Sequence, residues 1–177
     1  MGLRYFNLDD RTRQLMLEEM QLDVANNKLF ISPYLSGQGV RDYPDLLRQA
    51  ITSGDDTSLA AALTQQRRIL RSYTRRTPRQ GYSIVSVPEN AAETIAEEEF
   101  NRYYIRALAR RAIAEGVPEL VVVRAKPVQE PRPQSEALVE TSVNPNDLLA
   151  DLRAHTDEPP ELGIPAGPGS GISVRLP

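Results

Sequence analysis

The sequence predicts an α+β protein: a helical N-terminal half, one long central helix packed on a small sheet of three to four strands, and an extended C-terminal arm. Three observations predict it. Residues Ala91 to Glu115 read as one continuous helix, with Gly116 at its C-cap and Pro118 just beyond. Two apolar, β-branched runs, 82–87 and 119–125, flank that helix and read as strands. From Pro127 onward the chain carries nine of its fourteen prolines, so this stretch cannot build a core of its own. The body is therefore expected to span 1–126 and the arm 127–177.

Residues 8–26 read as the first helix, capped by Asn7 or Asp9, with Met16, Met20 and Val24 on one stripe widened by Leu15 and Leu22. Lys28 to Ile31 is a short strand-like run stopped by Ser32-Pro33, and 36–39 is a loop. Asp42-Tyr43-Pro44-Asp45 opens a second helix reaching about Thr52, with Pro44 in its first turn. Ser53 to Asp56 breaks it, and a third helix starts at Asp56 or Thr57 and runs to about Arg71.

After strand 82–87, Asn90 and Glu93 have the spacing of a capping box. Strand, long helix and strand in succession fit a right-handed βαβ crossover with both strands parallel in one sheet. The connection 86–90 lacks glycine, which excludes a dinucleotide or phosphate-loop turn. In the arm, 146–153 reads as a short helix docking through Leu148, Leu149 and Leu152. The alternation Ile172-Ser173-Val174-Arg175-Leu176 reads as a terminal strand, 172–176, seeking a sheet edge.

Composition narrows the chemistry. The 177 residues contain no cysteine and one histidine, His155, which excludes disulfides, thiolate zinc sites and cysteine nucleophiles. There is no Gly-x-Ser-x-Gly elbow, and the pairs Asp9-Asp10 and Asp55-Asp56 read as cap and turn residues. No run of eighteen apolar residues is present, and the first residues lack the apolar stretch of a secretory signal. A cytoplasmic protein, or one in a particle assembled there, is expected, with no catalytic residue, cofactor or metal.

Charge is unevenly placed. The net charge is −3, yet 65–80 holds Arg67, Arg68, Arg71, Arg75, Arg76 and Arg79 with no acid, and Tyr73 among them as a stacking ring. From Pro127 onward eight acids face three bases. The basic cluster can meet those acids, in this chain or another copy, or nucleic-acid phosphates. On the long helix, Glu98, Arg102, Arg106 and Arg110 recur every four residues as a stripe, either a solvated ion ladder or, beside Tyr103 and Tyr104, an interface.

The expected function is therefore a non-enzymatic structural subunit of a larger particle, phage-like by analogy of shape. Its contacts with other copies or other subunits are expected at Arg102, Tyr103, Arg106, Arg110 and at Ile172, Val174 and Leu176. The alternative is a nucleic-acid-binding accessory protein that uses the 67–79 cluster. Neither a membrane nor a small-molecule substrate is expected as a partner.

Overall fold

The computed structural model describes residues 2–76 and 81–177. Three helices, α1 (Asp10–Ala25), α2 (Gly37–Ser53) and α3 (Asp56–Thr64), lead into a hairpin of β1 (Ser72–Arg76) and β2 (Tyr82–Ser86). The central helix α4 (Ala91–Glu115) follows, then β3 (Leu120–Arg124), α5 (Pro133–Leu138), β4 (Ser142–Val143), α6 (Pro145–Ala154) and β5 (Ile172–Arg175). The α+β class, the helical N-terminal half and the long central helix are as the sequence predicts.

The helix starts follow from local chemistry. Asp9 accepts from the Thr12 amide and Ser36 from the Gly39 amide, and Asp55 and Ser58 form a reciprocal capping box. Asn144 caps α6, whose first residue is Pro145. Gly116 closes α4 at φ +70°, a backbone conformation that L side chains avoid.

Several boundaries differ from the sequence reading. Asn90 makes no side-chain cap bond, so the expected capping box with Glu93 does not form. Helix α2 begins five residues before Asp42, because Ser36 supplies the cap, and Pro44 lies in its interior. Helix α3 stops at Thr64 rather than near Arg71, since Gln66 and Arg67 take left-handed φ of 54° and 55°. Residues 28–31 form no strand. In α1 the buried set is Thr12, Met16, Glu19, Met20 and Asp23, while Leu22 and Val24 face solvent. Two acids thus occupy part of the inward stripe.

The βαβ expectation is the main correction. Strands β2 and β3 flank α4 but lie in different sheets. β2 pairs antiparallel with β1, Tyr73 opposite Val85 and Arg76 opposite Tyr82. β3 is the middle strand of a separate antiparallel sheet of order β4-β3-β5. A neighbouring segment closes a hairpin at a smaller loop entropy cost than a crossover spanning α4.

Helix α4 is the axis of the core. It packs against α1, α3, α6 and β5, and Phe100, Tyr103, Tyr104, Ile105, Ala107, Leu108 and Ala109 are all buried. A helix covered on this many sides buries polar groups as well as apolar ones, here Glu99, Asn101 and Arg106, and those call for partners inside the protein.

The Pro/Gly-rich segment is laid across this body and ends inside its core. Val122 of β3 faces Val174 of β5, and Ile172 and Val174 are buried, with Leu176 half-buried. Gly171 permits the approach: at φ +65°, an added Cβ would lie 2.5 Å from the Lys126 carbonyl oxygen. Buried Asn101 of α4 holds the strand, its Nδ2 donating to the Ile172 carbonyl at 2.8 Å and its Oδ1 accepting from the Ser173 hydroxyl at 2.6 Å. Asn101→Ala orphans both groups and should cost about 1–3 kcal/mol. Urea unfolding gives the loss, and proteolysis within 155–171 should accelerate; unchanged stability would show that Asn101 does not hold β5.

Candidate functional site

The predicted basic cluster does not act as one unit. Arg68 is buried and structural: its Nε donates to Asp42 Oδ2 at 2.7 Å, its Nη1 to the Ala62 carbonyl at 2.8 Å and its Nη2 to Gln66 at 2.9 Å. Arg67, Arg71, Arg75 and Arg76 are exposed, and none of them forms an ion pair with another described residue. Arg79 lies outside the described residues. Tyr73 is half-buried, its ring meeting Tyr34 edge-on with centroids 5.1 Å apart. Among the described residues, no C-terminal acid pairs with these arginines: Glu136 meets Arg124, and Asp151 meets His155.

Alternation along the hairpin sorts its side chains. Tyr73, Arg75, Ser83 and Val85 share one face, which Tyr34 helps to cover. Ser72, Thr74, Arg76, Tyr82, Ile84 and Ser86 share the other. On that second face Tyr82 is 77% and Ile84 79% exposed. An isolated two-stranded ribbon is marginal in water, and this one leaves Tyr82 and Ile84 bare. The sequence reading does not include β1; its signal is the Ser-Tyr-Thr-Arg-Arg run, followed by a Pro- and Gly-containing stretch and then 82–87.

The predicted α4 stripe points largely inward. Arg106 is fully buried, its Nε donating to Glu19 Oε2 at 2.8 Å and its Nη1 and Nη2 to the two Asp23 carboxylate oxygens at 2.5 and 3.0 Å. Tyr103, also buried, donates its hydroxyl to Asp23 Oδ2 at 2.9 Å. Arg153 grips the outer side of Glu19, and Arg110 reaches Glu18 at 2.9 Å and Glu19 at 3.4 Å. Burial pushes Glu19 up, but Arg153 and Arg106 outweigh it and hold that carboxyl below its ordinary value. Burial and the charge of Asp23 drive the Tyr103 hydroxyl far upward. Arg102 pairs at 3.6 Å with Glu99, three residues before it, and not with Glu98. Arg106 and Tyr103 are thus consumed inside the chain, as are Ile172 and Val174 of the predicted contact set.

Arg102 leads to a cleft of about 190 Å³ where α4 meets the Pro-rich segment. Phe30, Glu98, Glu99, Asp157, Glu158 and Pro159 line it, with Arg102 donating to the Thr156 carbonyl at its rim. Glu99 is buried, and its Oε2 has no hydrogen-bond partner among the described residues. Burial pushes the Glu99 carboxyl up to about 7, against the pull of Arg102. Glu98 is raised for the same reason. No sequence signal marked Glu99, because Glu97-Glu98-Glu99 reads as three equivalent acids until the helix is placed.

Among the described residues no group of three His, Cys, Asp or Glu side chains converges as metal ligands, and no helix is long and apolar enough to cross a membrane. No protein-family model, curated protein or solved structure matches the chain.

Proposed function

We propose that the chain is a non-enzymatic structural subunit of a larger assembly, in the cytoplasm or in a particle assembled there, and that the β1–β2 hairpin makes its contact. The observation that carries this is the bare hairpin face, with Tyr82 and Ile84 exposed beside Arg76. Tyrosine and arginine are the residue types that anchor protein interfaces. The C-terminal strand, expected to reach another subunit, is already spent on β3 of its own sheet, so the contact role passes to the hairpin.

Replacing Tyr82 and Ile84 together by serine removes the apolar anchors without touching the core. The tagged full-length chain, recovered gently from its own cells, should run well above its 19.7 kDa chain mass, and the Tyr82→Ser/Ile84→Ser variant should run free. A wild-type chain recovered only at its own mass defeats the assembly reading.

The second reading is binding to nucleic acid, favoured by Arg67, Arg71, Arg75 and Arg76, exposed and without an ion-pair partner among the described residues, and by the Tyr82 ring opposite Arg76. It requires oligonucleotide affinity that falls steeply with salt. An assembly contact dominated by Tyr82 and Ile84 does not.

A further inference from the structure

We propose that two copies of this chain pair about a two-fold axis, the basic hairpin of each protomer seating its arginines in the acidic cleft of the other. The inference rests on the reading of the hairpin as a subunit contact and names the partner.

Charge complementarity is the first argument. Residues 65–87 carry six arginines and no acid, so removing those charges from the net −3 leaves −9 on the rest of the chain. The remainder of the same protein is therefore of opposite charge to this hairpin. Within one molecule Arg71, Arg75 and Arg76 stay without an acidic partner among the described residues.

The cleft fits that occupant. Glu98, Asp157 and Glu158 supply carboxylates and Glu99 a carboxyl, against Arg102 as the one cation among the described lining residues, while Phe30 and Pro159 supply apolar walls for an arginine stem. Glu99 adds an observation independent of the acid count, a buried carboxylate oxygen without a hydrogen-bond donor at the lining of the cleft. Buried polar atoms are nearly always satisfied, and an incoming guanidinium brings five donors.

Placement supplies the symmetry. Tyr34 touches Tyr73 of the hairpin, and its hydroxyl feels the charges of both Arg75 and Glu98. The basic ribbon and the Glu98 end of the acidic cleft therefore both lie close to Tyr34. Adjacent patches of opposite charge make a self-complementary surface, the requirement of an isologous contact.

The test uses sedimentation velocity on the purified full-length chain. Wild type should sediment at twice the 19.7 kDa chain mass and dissociate as salt rises. A hairpin variant, Arg71→Glu/Arg75→Glu/Arg76→Glu, and a cleft variant, Asp157→Arg/Glu158→Arg, should each weaken pairing roughly tenfold or more. Mixed in equal amounts they should pair again, because both contacts of the heterodimer are then complementary. That recovery also proves both variants folded. A wild type that stays monomeric at every concentration, a variant that still pairs, or a mixture that fails to recover each overturns the proposal. So does a monomer that binds a DNA oligonucleotide through the same arginines. A purified monomer whose cellular form is still large defeats self-pairing alone and leaves the subunit reading intact.

Discussion

Arg106→Met should destabilise the protein by about 3–5 kcal/mol, a large part of the total stability of an ordinary domain. Arg106 has no solvent exposure and neutralises two acids from α1 that are almost as deeply buried. Their fates differ once it is gone. Glu19 keeps Arg153 at 2.5 Å and Arg110 at 3.4 Å, both at the partly exposed edge of the network. Among the described residues Asp23 keeps only the Tyr103 hydroxyl, a single neutral donor for a buried charge. The loss therefore belongs mainly to Asp23.

This assignment makes the prediction sharper than a bare stability loss. Arg106→Met/Asp23→Asn should recover much of the deficit in urea unfolding at neutral pH, because no unpaired buried charge remains. A single variant within about 1 kcal/mol of wild type would mean that the buried network is not what locks α1 to α4.

The same network shows where the sequence stopped being informative. Periodicity found α4 because twenty-five residues of continuous pattern outweigh any local ambiguity, and it found α6 and β5 because leucine spacing and alternation survive in a Pro-rich stretch. It assigned Arg102, Arg106 and Arg110 to one surface stripe because spacing along a helix says which residues share a face, not which way that face points. The direction was set by Glu19 and Asp23, four residues apart on α1, whose placement among Met16 and Met20 looks like simple interruption of an apolar stripe. The βαβ expectation failed for a related reason. Strand character is local, but strand partnership is not, and the short alternation of β1 lay inside a run dominated by arginine. The candidate surface was legible as composition alone: the arginines were seen, but which were spent on the fold, as Arg68 is, required the turn at Gln66-Arg67.

Glu99→Gln should stabilise the protein by about 3 kcal/mol at pH 8 and change it little near pH 4.5. The folded-state value of about 7 stands above the ordinary 4.5 of an unfolded glutamate, and burial is the main cause. Between those values the native state holds a proton that the unfolded state has released. The contribution of this group is therefore intact below about pH 4.5 and is lost as pH rises to about 7, at about 1.4 kcal/mol for each unit of difference.

Around Glu99 stand Glu98, Arg102 and Arg106 on α4 and Asp23 on α1, with Tyr43 of α2, whose own hydroxyl is buried without a hydrogen-bond partner among the described residues. Asp157 and Glu158 line the same cleft from the Pro-rich segment. Comparing variant with wild type across pH cancels the groups common to both, so a difference that grows from pH 5 to pH 8 isolates Glu99. A difference independent of pH would mean that Glu99 is not held protonated. In the isolated chain this carboxyl destabilises the fold at neutral pH. A cation delivered by another protomer favours its ionised form and offsets that cost, so the variant should gain stability as a monomer while losing affinity for its partner.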